Sequence, residues 1–405
     1  MSPWRRCGMA VILLIMGVGL LFYAHGSRKV SQRDLSFARH GPGAEIFAES
    51  WLLKGNYSNW VNLDGEKAIE EFRKAVALQP LYMDAWLALA RGQAAMGLRE
   101  EARETYGKVS GALEKVSTWK WQELLLAYET RDSDRFAASF NFILARLPHR
   151  VREASFLAVQ YWGDWGSVIP HVQPEGRNAF LTQLMRVREG DAVLELWETM
   201  ESSPDAVNDD LRLRVSHFLL HNGRPRHAEK VWKTWGGYGG TPVHDGLFEE
   251  EFLNRAFGWR VGRQPSGVVA GRSSEMPHKG THCLHVHFRG SDNVNYHHVF
   301  QIVPVEPGAS YKVEYAQKSR GITTDQGVFL EAYGHQCRGL TERGTTLLGT
   351  SPWSREQFQM QVPPECEAVV LRVRRRESLR FDNKIAGDYW LDDVRVVKVS
   401  NDPEA

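Results

Sequence analysis

The sequence predicts an all-α N-terminal half joined to an all-β C-terminal half, behind one apolar N-terminal helix. Three observations predict this order. Residues Cys7 to Ala24 carry no charge and follow Arg5 and Arg6. From about Gly43 to Trp235, small and aromatic residues recur at helical spacing, with few Gly or Pro inside the runs. Beyond the Gly-rich stretch Trp235 to Gly246, short alternating apolar runs take over, punctuated by Gly, Pro, Asn and Asp.

The totals set the scale. A chain of 405 residues is long enough for two or three domains with real cores. Its net charge of +1 argues against a general nucleic-acid or polyanion binder. Its 14 Trp residues suit either helical-repeat packing or sugar-stacking surfaces.

Taken in chain order, residues 1–26 read as a signal anchor. The charge-free run is at the short end of a transmembrane helix and the long end of a signal-peptide core. Cleavage after Ala24-His25-Gly26 is the other reading, and the anchor is preferred because no clearly polar segment precedes that site. The anchor places the chain in the inner membrane, single-pass, with the bulk on the periplasmic side. Arg28, Lys29 and Arg33 follow the run, so loop charge does not decide orientation.

Residues 43–235 read as paired helices. Ala68, Phe72 and Ala75 share a face and Pro80 closes the segment; Trp86 and Leu89 mark the next helix, Ala102 and Tyr106 the one after. A small residue followed four later by an aromatic lets two helices approach and then lock through the ring. Ala68 to Ala102 and Phe72 to Tyr106 are both 34 residues, and this segment resembles the tetratricopeptide repeat, whose period is 34. Looser copies follow around Pro148, at Ala192 to Pro204 and at Ala228 to Trp232. The resemblance implies an α-solenoid whose inner groove engages a protein partner; the bland alternative is a spacer.

Residues 236–244 read as a linker and residues 245–399 as an antiparallel β-sandwich. Within it, Gly246, Phe248, Glu249, Gly258 and Trp259 open the domain, Pro307, Gly308 and Tyr311 precede a central strand, and Trp390, Asp392, Asp393 and Val394 lie in the last one. In order and spacing these phrases resemble the jelly-roll carbohydrate-binding modules of the galactose-binding-like superfamily, with Asp245 where that family usually has Asn. The combination of repeats and sandwich, with the phrases Thr323 to Gly327 and Val362 to Cys366, is similar to bacterial envelope proteins associated with exopolysaccharide production. The resemblance implies a structural Ca²⁺ clasped between the first and last strands. Glu249 with Asp392 or Asp393 are its candidate ligands, only one of the two aspartates facing a given site. Glu250 or Glu251 replace Glu249 if the register differs, and solvated edge charges are the alternative for all these acids.

Tyr296, Tyr333, Trp353 and Tyr389 are the candidate glycan-binding aromatics, since rings stack on the apolar faces of pyranoses. Trp259 and Trp390 read as framework. His285 and His287 share one strand face near His297 and His298, but without acid or Cys at metal-ligand spacing they read as a wet face. No nucleophile elbow, phosphate loop or His-Glu-x-x-His phrase occurs, so the sandwich reads as a binding module rather than an enzyme. Of Cys283, Cys337 and Cys366, the last two sit at strand edges, and an oxidising compartment favours a Cys337–Cys366 disulfide with Cys283 free. The expected function is a non-catalytic envelope scaffold whose repeats bind a protein and whose sandwich binds polysaccharide. A sandwich serving as a structural or protein-interaction cap is the alternative, and a glycan hydrolase the third reading.

Overall fold

The computed structural model describes residues 3–113, 116–201, 207–236 and 241–399, with side chains described from Leu13 onward and through 234 in the last helix. The chain divides into two compact units, Met1–Leu196 and Trp197–Ala405. The proposed linker 236–244 lies partly outside the described residues.

Among its described residues the first unit is built of helices joined by short turns. Ala48–Trp60 packs on Gly65–Leu78, which packs on Met83–Ala95. Asp64 and Asp132 cap their helices by accepting the backbone N–H of Lys67 and Arg135. Phe72 shows why the sequence alternates small and aromatic residues. Its ring edge occupies the space a Cβ on Gly55 would need, and its other edge lies 3.4 Å from the same position on Gly92. Ala68, Ala75 and Ala102 are completely buried, so these helices meet at nearly backbone distance.

The N-terminal helix, Pro3–Ser31, corrects the membrane reading. Among the described residues no helix is long and apolar enough to cross a membrane. The apolar run ends at His25, Arg28 and Lys29. The helix then continues into protein contacts. Tyr23 packs on Phe47, Gly26 faces Phe47 and Phe37, and Val30 is buried. Cys7 to Ile12 of the proposed anchor lie outside the described side chains. The single-pass inner-membrane placement is therefore withdrawn.

Among its described residues the second unit carries a helical hairpin, Asp209–His221 and Pro225–Gly236, followed by ten strands. These are β1 (Arg260–Val261), β2 (Val268–Ser273), β3 (Cys283–Arg289), β4 (Tyr296–Pro304), β5 (Ser310–Ile322), β6 (Phe329–Gly334), β7 (Thr341–Arg343), β8 (Gly349–Gln361), β9 (Ala368–Arg375) and β10 (Ala386–Lys398). They form two antiparallel five-stranded sheets, ordered β1-β4-β9-β6-β7 and β2-β3-β10-β5-β8. Alternate residues of both sheets fill the space between them: Leu284 and Val286, Leu330 and Ala332, Leu371 and Val373, Tyr389 and Leu391.

Framework phrases have local reasons. Pro307 and Gly308 form a turn with Gly308 at φ 76° and Ala309 N–H donating to Glu306 C=O, a position only glycine takes easily. Gly246 accepts from the Val394 N–H at 2.9 Å, closing the domain's beginning on its last strand, and a Cβ there would collide with the Val394 carbonyl oxygen. Asp245 braces the same corner by accepting the N–H groups of Glu249 and Glu250. Cys337 and Cys366 form a disulfide, Cα atoms 5.5 Å apart, and Cys283 is a buried free thiol.

The hairpin packs on the first sheet's outer face. Helix Pro225–Gly236 lies on β4, Arg226 pairs with Glu367 at 3.0 Å, and Trp232 meets Phe257 edge to face. Ile302 and Val370, paired across β4 and β9 and turned outward, are accordingly buried.

Candidate functional site

The uncovered half of that sheet face is the candidate site. Because Leu330, Ala332, Leu371 and Val373 face the core, their neighbours Phe329, Glu331, Tyr333, Arg372 and Arg374 face outward. Glu331 is only 2% exposed because guanidiniums cover it. Arg372 reaches it at 2.6 Å, Arg376 at 3.7 Å and Arg374 at 4.0 Å. Arg372 also lies 4.3 Å over the Tyr333 ring, and Arg343 lies 5.5 Å over Phe329. Burial, together with the charges of Arg372 and Arg376, lowers the pKa of Arg374. The face is a cationic, aromatic-backed surface.

The loop that continues β9, residues 376–385, forms its rim. Leu379 and Phe381 are fully exposed there, at 101% and 105%. The loop is nevertheless held firmly. Arg375, completely buried, donates to Asn293 Oδ1, Val294 C=O, Gln326 C=O and Asn383 C=O. Ser378 and Asn293 exchange hydrogen bonds, and the Ser378 hydroxyl donates to Asp325. That bond, and the charge of Arg380 at 3.2 Å, lower the pKa of Asp325. The phrase Thr323 to Gly327 is thus the pedestal of this loop. An ordered loop that offers a whole phenylalanine to solvent is an unusual use of apolar surface.

The second sheet's outer face holds a different cluster. Asp388 Oδ1 bonds His285 Nε2 at 2.9 Å and His287 Nδ1 at 2.8 Å, while Oδ2 accepts from Arg320 at 2.8 Å. Burial opposes ionisation of Asp388, but Arg320 and the histidines outweigh it and hold its carboxyl at about 2. Trp390 lies buried beneath, stacked on His285 at 4.9 Å. Lys318 and Arg320 cover the rest of the ring. Both carboxylate oxygens of Asp388 are thus engaged within the cluster, while the buried Trp390 Nε1–H has no acceptor among the described residues.

The acids proposed for Ca²⁺ are used otherwise. Glu249 accepts from the N–H groups of Thr281 and His282 and from the Thr281 hydroxyl, and these bonds, the hydroxyl's first, lower its pKa to about 2. Asp392 accepts from the N–H groups of His278, Lys279 and Asp393; burial raises its pKa against those bonds. Both carboxylates therefore latch the turn 277–282. Asp393 sits on a β-bulge at φ 49° and pairs with Arg355 at 3.0 Å and Arg395 at 2.9 Å. Calcium needs about six to eight oxygen ligands with free lone pairs. Here the lone pairs face N–H donors and cations, and among the described residues no three His, Cys, Asp or Glu side chains gather to hold a metal. The residues do not fit the ion.

The proposed aromatics separate. Tyr296 and Tyr389 have no exposed surface, their hydroxyls donating to Gln264 and Gln317, so neither can stack on a sugar. Tyr333 lies on the candidate face. Trp353 is half-buried on β8, its Nε1–H bonded to Met276 C=O, remote in register from that face. Glu331, the arginine row and Phe381 were not singled out from the sequence; the run Arg374-Arg375-Arg376 beside a loop aromatic was the available signal.

No family model matches the chain. Solved structures similar to it include carbohydrate-binding modules. The CBM22-1 xylan-binding domain from Paenibacillus barcinonensis Xyn10C is 13% identical, with TM-score 0.26, over 38% of this chain and 92% of that one. TmCBM61 in complex with β-1,4-galactotriose is 16% identical, with TM-score 0.28, over 39% and 99%. The enzymatically active domain of bacteriophage CBA120 tailspike protein 4 is 12% identical, with TM-score 0.29, over 40% of this chain but only 22% of its own. Among curated proteins, the uncharacterized protein MJ0572 of Methanocaldococcus jannaschii is 46% identical over 77 residues, which are 19% of this chain and 83% of that protein. Through that 77-residue stretch the chain belongs to the same family as MJ0572.

Proposed function

We propose that the sandwich is a non-catalytic glycan-binding module that uses the uncovered face of the β1-β4-β9-β6-β7 sheet. The observation that carries this is the rigidly held rim loop presenting Phe381 to solvent beside outward-facing Tyr333 and the arginine row. A ring so placed can stack on a pyranose, while guanidiniums donate to hydroxyl and ring oxygens. The likeness of the framework phrases to carbohydrate-binding modules supports the reading. The paired helices of the first unit would engage a protein partner, as tetratricopeptide-like arrays do, and exopolysaccharide assembly or export is the process this combination suits.

The experiment is a glycan array probed with the full chain and with Phe381→Ala. Retention of a glycan by the wild type and its loss in the variant, at unchanged melting temperature, supports the proposal. No retained glycan, or equal retention by both, contradicts it. One observation favours a second reading, the structural cap: the helical hairpin already covers half of this sheet face. That reading predicts the empty array.

A further inference from the structure

We infer that the ligand of this face is an anionic polysaccharide, one carrying carboxylates or sulfates at regular intervals. The inference rests on the glycan-binding reading and adds the chemical class of the ligand.

Five guanidiniums bear on the face and its rim: Arg343, Arg372, Arg374, Arg376 and Arg380. Four carboxylates accompany them, and Lys384 of the rim loop adds a sixth cation. Glu331 lies buried beneath the arginines, Asp325 is occupied by Arg380 and Ser378, Glu377 is exposed beside Arg374 and Arg375, and Asp382 is exposed beside Phe381. Positive charge is left over, and it stands at the surface: Arg376 is 53% exposed at its side chain, and Arg343 is exposed. The net charge of +1 for the whole chain conceals this local excess.

Geometry sharpens the class. Arg372 and Arg374 are alternate residues of β9, their backbones roughly 7 Å apart, and Arg376 follows just past the strand's end; all three guanidiniums converge on Glu331. Three guanidiniums gathered on one carboxylate repel one another, and neutral sugar recognition does not require that cost. Ligand carboxylates or sulfates arriving in a row would relieve it through paired N–H···O bonds. Arg343, stacked on Phe329 and exposed, keeps its edge N–H groups turned to solvent, whereas Arg372 over Tyr333 spends Nε and one Nη on Glu331.

The test measures binding of the full chain to four polymers: polygalacturonate, its fully methyl-esterified form, dextran sulfate and dextran. The methyl ester keeps the backbone and removes the charge, and the sulfate arm separates carboxylate from sulfate recognition. Polygalacturonate or dextran sulfate should bind roughly tenfold or more tightly than its neutral counterpart, the equivalent of one charge-assisted bond. Binding should weaken as salt rises, and Arg343→Gln with Arg376→Gln should abolish the preference at unchanged melting temperature. Equal affinity for charged and neutral polymers would overturn the inference while leaving glycan binding intact. A charge preference untouched by both substitutions would also overturn it, placing the anion elsewhere. Binding to none of the four, with an empty glycan array, would remove the glycan reading and this inference together.

Discussion

Replacing His217 by asparagine should make the second unit less sensitive to acid. His217 Nδ1 accepts the Ala256 N–H at 3.0 Å, so the ring is held neutral where the helical hairpin meets the sandwich. Around it stand His221, with ring centroids 4.2 Å apart, Arg260, which donates to His221 Nε2, and Arg255, which pairs with Asp210. Burial, then His221, Arg260 and Arg255, lower the His217 pKa from 6.5 to about 4. The folded ring therefore binds its proton more weakly than the unfolded one. The stability it contributes is complete above pH 6.5 and is lost as pH falls toward 4. At full weight that drop is worth about 3.4 kcal/mol, and for a half-buried ring solvent screening reduces it to about 1.5 kcal/mol. The amide oxygen of the substituted asparagine can accept from Ala256 as Nδ1 does, but it cannot titrate. Denaturant unfolding of the full chain at pH 7.5 and 4.5, followed by the transition of this unit, should show the wild type losing about 1 kcal/mol more than His217→Asn, since the folded ring is still partly neutral at pH 4.5. Superimposable pH profiles for the two proteins would refute the reasoning.

Three further outcomes follow from the geometry. Reducing the Cys337–Cys366 bridge, 29 residues apart in sequence, should cost about 3.5 kcal/mol in the chain-entropy model. A non-reducing peptide map should show that pair and an unbridged Cys283. Asp392→Ala orphans three N–H groups, so the full chain should lose about 3 kcal/mol in denaturant unfolding, whereas excess chelator should leave the wild-type melting temperature unchanged. Gly246→Ala should destabilise by about 2 kcal/mol or more, because the new methyl meets the Val394 carbonyl and not a side chain that can move aside.

The strands were legible because their alternation is a local property. The run from Thr281 to Phe288 reads as a strand with Leu284, Val286 and Phe288 on one side, and β3 puts those residues in the core. The same logic fails where the alternation breaks. Register shifts between Tyr296 and Val299 and between Asp392 and Arg395 reset which side faces in. Counting by twos therefore could not tell that Tyr296 is buried or that Asp393 turns toward Arg355 and Arg395. Tyr389 misled for another reason, since an amphipathic ring suits a core and a sugar platform equally until burial decides. The site was less visible still. Glu331 meets Arg372 only through the pairing of β6 with β9, 41 residues apart, and no spacing rule joins them. Phe381 lies in a loop without periodicity, so its exposure is a tertiary fact. At the N-terminus, hydropathy registered the apolar run but not where the helix turns to packing on Phe37 and Phe47.

The central claim, that glycan binds across β6, β9 and the loop after β9, is tested most directly by hydrogen–deuterium exchange of the full chain with and without an array-selected glycan. Protection should concentrate in residues 329–334, 368–375 and 376–385, with the outer face around His285, Asp388 and Trp390 unchanged. Protection confined to the β3-β10-β5 face, or to the first helical unit, would contradict the account.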